Sequence, residues 1–306
     1  MSFDIAEAHN YLALINRIGD MREGEVLLVV NRQVTTPEIA LAGIRDAELC
    51  VSDYDDTMTL KGQYLIMGEH LMRDGRGDED LADAMRVFHG QHVTPSDVMR
   101  LIGRSMGRLI ESRLGMAEFQ HAVQHAKPRS GVHELILSFE DQSKVDDPFV
   151  VVTSGTRDWV QAWETHYLSL PSTLRVHGLK LKWSKAGARQ LLGCDIETMV
   201  CVQNKAVKVA MEATRCNLSI GQVMTVGDSP LIDQTLLTAE LIRGSDGQVV
   251  RPGVHGVLLI EDCQTALNHP HGKHHMRAAF DAGVPMFLIS PSLVPLAQIR
   301  RGEITA

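Results

Sequence analysis

Three short apolar runs in this chain end in side chains that can hold metal, phosphate or protons. Residues 49–52 run into Asp53 and Asp55, with Asp56 and Thr57 directly behind. Residues 148–152 run into Thr153, Ser154 and Gly155, and residues 223–227 into Asp228, with Asp233 five positions on. Carboxylates crowded at a strand end raise one another's pKa and cost stability unless a cation or hydrogen bonds compensate, so such a cluster calls for a divalent metal. Acids spaced Asp-x-Asp leave an extended chain on the same side, because side chains alternate faces with period two. One carboxylate of such a pair could attack an electrophile while the other moves a proton and a hard metal holds a negative substrate.

The elements needed to position these groups are legible in the pattern. The run at 148–152 is nearly all apolar, as in a parallel strand covered on both faces. Further strands are expected at 25–30, around 174–183 and 198–202, at 256–260 and at 285–289. Helices are expected at 132–139, after Arg157, from Lys205 to Cys216 and near 276–282. Parallel strands gather their carboxyl ends along one edge, where ligands bind. Lys205, at the start of the helix before the third run, could bring an ammonium to that edge. Ile5, Ala8, Leu12 and Ile15 recur at helical spacing, which predicts an amphipathic helical extension at the amino end. Between 60 and 127 the pattern changes to helix after helix, with breaks at 75–78 and 90–92 and a capped start at Thr94-Pro95-Ser96-Asp97. The expected organisation is an α/β core of residues 1–59 and 128–306 with a helical module at 60–127 inserted after the first acidic run.

Composition narrows the partners. The chain has 306 residues, a formal net charge of −8 and 44% hydrophobic residues. An acidic balance argues against nucleic acid, which selects a basic surface. No apolar run reaches membrane-spanning length, and the first residues carry acids where a signal peptide needs base, so a membrane partner and secretion are both disfavoured. Cys50, Cys194, Cys201, Cys216 and Cys263 are odd in number and widely spaced. They read as reduced thiols in a cytoplasm.

Taken together, Asp53-Tyr54-Asp55-Asp56-Thr57, Thr153-Ser154-Gly155, Lys205 and Gly227-Asp228-Ser229-Pro230-Leu231-Ile232-Asp233 resemble, in order and interval, the four motifs of the haloacid dehalogenase (HAD) superfamily of aspartate-nucleophile phosphatases and phosphotransferases. The resemblance covers roughly 48–234. It implies a doubly wound, Rossmann-like parallel-sheet core with an inserted α-helical cap. It also implies a Mg²⁺-dependent phosphohydrolase acting on a small phosphorylated metabolite. In that scheme Asp53 is the nucleophile that forms an aspartyl-phosphate, and Asp55 protonates the leaving oxygen and later activates water. Asp53, the backbone carbonyl of Asp55 and Asp228 bind Mg²⁺. Asp233 touches the metal through water or orients Lys205. Thr153 and the Ser154 amide hold phosphoryl oxygens beside Lys205, which spacing favours over Lys208. Asp56 stands where the family commonly has glycine.

Phosphomutase or phosphotransferase activity uses the same motifs and stays open. A receiver-like module is opposed by the helical insert, and an inactive phosphate-binding module by the retention of Asp53, Asp55, Lys205 and Asp228. Asp55 argues against carbon-halogen displacement, which does not need that acid. The tract 268–275, with His269, His271, His274 and His275, reads as a solvated polar loop, since it has no cysteine or nearby acid at usual zinc spacing. Arg100, Arg104, Arg108, Arg113 and Arg129 read mostly as a solvated face.

Overall fold

The computed structural model describes residues 2–305 except 23, 78, 80, 82–93, 186, 240, 244–247, 251–252, 262–266 and 268–271. The strands are β1 (Phe3–Ala8), β2 (Val26–Asn31), β3 (Leu49–Ser52), β4 (Phe149–Thr156), β5 (Arg175–Trp183), β6 (Leu191–Asp195), β7 (Val223–Gly227), β8 (Leu241–Arg243), β9 (Gln248–Val250), β10 (His255–Ile260) and β11 (Met286–Ile289). β8 and β9 form a separate antiparallel pair. The chain divides into two compact units, Met1–Asp53 with Arg129–Val150 and Val202–Ala306, and Tyr54–Pro128 with Val151–Cys201. The sequence reading drew its helical module at 60–127; the second unit also takes in Val151–Cys201.

In the first unit the strands lie in the order β1-β2-β11-β10-β7-β3. Pairing is parallel at β1/β2, β11/β10, β10/β7 and β7/β3. It is antiparallel at β2/β11. Every residue of β2, β3, β7 and β11 is buried. That matches continuous apolar runs covered on both faces. The helix Gly272–Asp281 packs Met276, Ala279 and Phe280 onto this core with Leu27, Val29 and Phe287. Burying one such side chain is worth about 1.5–3 kcal/mol. Buried Asn31 spends its side-chain amide on the carbonyls of Phe280 and Val284, tying β2 to the end of that helix.

The expected helix at 5–15 is corrected. Residues Phe3–Ala8 form a strand parallel to β2, with Ala6 and Ala8 buried on alternate positions. The helix is Tyr11–Gly19, begun by the Asn10 side chain accepting from the Ala13 amide. The helical spacing of Ile5 and Ala8 was a coincidence of two elements meeting across a cap. A second correction concerns 198–202, where the backbone makes short 3₁₀ turns; the strand lies earlier, at β6, antiparallel to β5.

The second unit holds β5, β6, most of β4 and the helices Gln63–Arg73, Pro95–Glu111, Met116–Val123 and Arg157–Tyr167. Thr94 and Asp97 cap the second of these reciprocally, as their spacing predicted. Phe119 sets its ring edge-on to Trp159 and Trp183, which pins the third helix to the fourth and to β5. Of the expected helix breaks, 90–92 lies outside the described residues, as does Asp78. No helix among the described residues is long and apolar enough to cross a membrane.

Candidate active site

β3 and β7 are adjacent and parallel, with Ser52 level with Val226, so the residues that follow them emerge side by side. The Asp53 amide donates to the Val226 carbonyl at 2.8 Å, extending the ladder by one residue into the acidic segment. Asp53 is 5% exposed, and Lys205 and Asp233 are 1% exposed. Beyond β7 the chain turns sharply. The Ser229 amide donates to Asp233 Oδ2 at 3.0 Å, and the Asp233 amide donates to the Ser229 carbonyl at 2.9 Å. Gly227 lets this turn close, since a Cβ there would sit 2.7 Å from Asp233 Cβ.

The Lys205 ammonium donates to Asp53 Oδ1 at 2.7 Å and to Asp233 Oδ1 at 2.5 Å. Burial alone would lower its pKa, but the Asp233 and Asp53 carboxylates outweigh that and hold it above the ordinary lysine value. Lys208 is only half-buried. Carboxylate oxygens of Asp53, Asp228 and Asp233 lie within 4.8 Å of one another. Three carboxylates and one ammonium leave two negative charges in a buried place, and hard oxygen donors in that array fit a divalent cation such as Mg²⁺.

The remaining sequence-predicted residues lie in the second unit. Asp56 has φ of 59°, the left-handed region, which explains why glycine suits this position and why aspartate is tolerated there. Thr153 is fully buried, and its hydroxyl accepts from the Gly155 amide at 2.9 Å. The Ser154 hydroxyl is buried with no hydrogen-bond partner among the described residues. The Asp55 carboxylate accepts from the backbone and side-chain nitrogens of Gln63 at 2.7 and 2.9 Å. Gln63 carries no sequence signal: it follows Gly62 at a helix start and takes part in no motif.

A second acidic group, His70, Asp74 and Glu118, also has ligand atoms within 4.8 Å. There the cation is already present, because the Arg76 guanidinium bonds both Asp74 and Glu118. Arg129 departs from the solvated reading. It is 3% exposed, donating to Glu261 and to the Pro291 carbonyl. Arg100 does face solvent, paired with Asp97, whereas Arg108, paired with Glu111, is half-buried. His274 and His275 fall in the helix Gly272–Asp281, whereas His269 and His271 lie outside the described residues. Cys50 is buried, Cys194, Cys201 and Cys216 are half-buried, and Cys263 lies outside the described residues.

No family model matches the sequence, and no curated protein matches it. Solved structures do match. The fold is similar to that of cytosolic 5′-nucleotidase IIIB bound to cytidine, with a TM-score of 0.57 at 14% identity over 94% of this chain and 98% of that one. A phospho-aspartyl intermediate analogue of phosphoserine phosphatase matches with a TM-score of 0.48 at 13% identity, over 70% and 87%. A HAD family hydrolase from Salmonella enterica serovar Typhi matches with a TM-score of 0.48 at 13% identity, over 70% and 63%. The likeness to the nucleotidase shows a shared fold. Where the sequence motifs span only about 48–234, the likeness to the nucleotidase takes in nearly the whole chain.

Proposed function

We propose that the protein is a Mg²⁺-dependent phosphohydrolase that cleaves small phosphomonoesters through an aspartyl-phosphate on Asp53. The observation that carries this reading is the buried cluster of Asp53, Lys205 and Asp233, with an Asp228 carboxylate oxygen within 4.8 Å of those of Asp53 and Asp233. A carboxylate attacks a phosphoryl dianion only when charge is neutralised. Mg²⁺ bound by Asp53, Asp228 and the Asp55 backbone carbonyl would supply that neutralisation, and Lys205 adds a fixed positive charge. Asp233 orients Lys205, as their hydrogen bond supports.

An Asp53 oxygen forms a bond to phosphorus as the ester P–O bond breaks, and Asp55 gives its proton to the leaving oxygen. Asp55, now ionised, takes a proton from water as that water attacks phosphorus, releasing phosphate and restoring Asp53. Thr153 and the Ser154 amide hydrogen-bond the phosphoryl oxygens in this scheme. Residues 60–127 act as a cap that selects the leaving group. The odd number and wide spacing of the cysteines suit a cytoplasmic setting.

The nucleotidase likeness makes cytidine 5′-monophosphate the first substrate to try, in a panel of small phosphomonoesters that also holds amino-acid and sugar phosphates, each with Mg²⁺ and with EDTA. Turnover is expected for at least one of them, only with the metal, and it should disappear in Asp53→Asn. An Asp53→Asn variant with near wild-type turnover overturns the proposal.

A further inference from the structure

We propose that Gln63 is a positioning residue that aims the Asp55 carboxylate for proton transfer to the leaving oxygen; this rests on the role of Asp55 given above. Gln63 is 2% exposed and opens the helix Gln63–Arg73. It donates once to each Asp55 oxygen: its amide N–H to Oδ1 at 2.7 Å and its Nε2 to Oδ2 at 2.9 Å. Two donors from one residue, one on each oxygen, fix the plane of the carboxylate as well as its position.

The side chain that does this is itself held in one sense. Gln63 Oε1 accepts from the Thr156 amide at 2.8 Å and from the Thr156 hydroxyl at 2.9 Å. A backbone N–H can only donate, so the oxygen of the Gln63 amide must face Thr156 and its nitrogen must face Asp55. The opposite flip would set donor against donor at Thr156 and acceptor against acceptor at Asp55. Gly155 gives an independent sign of the same arrangement. A Cβ at that position would lie 1.5 Å from Gln63 Nε2 and 3.0 Å from Asp55 Oδ2. The glycine of Thr153-Ser154-Gly155 thus keeps open the space in which the amide meets the carboxylate.

Behind Gln63 the surroundings are apolar, a crevice lined by Tyr64, Met67, Met106, Trp159 and Leu181. A hydrocarbon side chain would satisfy packing there. An amide that spends its groups on Asp55 and Thr156 is explained by what it orients.

The test compares leaving groups. Gln63→Met keeps length and volume and removes both side-chain hydrogen-bonding groups. Single-turnover rates of leaving-group release, which precede the water step that also uses Asp55, are measured on the best alkyl phosphate of the panel, whose alkoxide needs a proton, and on p-nitrophenyl phosphate, whose leaving group does not. Gln63→Met is expected to lower this rate on the alkyl ester by about 10–100-fold, less than the roughly 10²–10⁴-fold that general-acid catalysis supplies, because the acid is still present. The nitrophenyl release rate should stay within about threefold. In an Asp55→Asn background the same substitution should cost nothing further, because the group it aims is already gone.

Thr156→Val, which removes one of the two bonds steering the amide, should give the same leaving-group-dependent loss in smaller measure, and it serves should Gln63→Met not fold. Equal losses on both esters, or additive losses with Asp55→Asn, overturn the positioning role. If Asp55→Asn itself fails to discriminate between the esters, the reading of Asp55 falls, and the role of Gln63 falls with it.

Discussion

Lys205→Met tests the charge cluster through stability, independently of any substrate. The substitution keeps the chain length and removes an ammonium that is 1% exposed and bonded to Asp53 and Asp233. Two buried carboxylates then lose their partner while remaining in place. Breaking a buried ion pair from one side costs about 3–5 kcal/mol, because a charge is left buried without compensation. At about 2 °C per kcal/mol for a chain of this size, Tm in EDTA should fall by about 6–10 °C. Mg²⁺ should recover more stability in the variant than in the wild type, since the site then carries three negative charges where it had two. Adding Asp233→Asn to Lys205→Met should return part of the loss by removing one of the stranded charges. The assay is thermal unfolding by circular dichroism, in EDTA and over a Mg²⁺ titration. A Lys205→Met protein as stable in EDTA as the wild type would refute the argument, because the cluster would then not be held together by its charges.

Two further outcomes are expected. Asp55→Asn should slow turnover of an alkyl phosphate by about two to four powers of ten with little change in Mg²⁺ affinity, whereas Asp228→Asn should weaken Mg²⁺ binding directly; isothermal titration with Mg²⁺ separates them, and equal loss of affinity would sink the division of labour. The second outcome concerns acid. Burial outweighs the Gly221 carbonyl and the Asp46 carboxylate and holds His255 below the ordinary histidine pKa. The unfolded chain therefore takes up this proton first, so stability is full above the ordinary value and is lost as pH falls through the folded pKa. Replacing His255 by Gln should flatten that limb of a Tm-against-pH curve, and an unchanged slope would count against it.

How much of this could be read from the sequence depended on the distance over which each signal acts. β3 and β7 were legible because a buried parallel strand is a continuous apolar run, and the acids that end each run stand out against it. Lys205 was separable from Lys208 by interval alone. Gln63 was not, because its partners lie 8 and 93 residues away and no periodicity records them. Arg129 likewise finds Glu261 at a separation of 132 residues, and among helical arginines it looked like one more solvated charge. At β1, a strand and a helix separated by a two-residue break reproduced helical spacing by accident, and only pairing with β2 decides between them. The reversal of β11 against β2 is a property of topology, which local pattern does not carry.

The burial of the cluster bears on why these residues are present at all. An acidic turn after a strand would be solvated, but Asp53, Lys205 and Asp233 are nearly sealed beneath β3, β7 and the helix Lys205–Arg215. Stability does not ask for this arrangement, since replacing a buried ion group by well-packed apolar side chains is often neutral or stabilising by about 1–4 kcal/mol. The surroundings would accept such a replacement: Val51, Val223, Val226, Ala206 and Val209 are buried in the same strands and helix. What apolar residues could not provide is a carboxylate with a fixed ammonium at 2.7 Å and two further carboxylates whose oxygens lie within 4.8 Å. That is the arrangement the proposed attack of Asp53 on a phosphoryl group calls for, with the charge balanced beforehand.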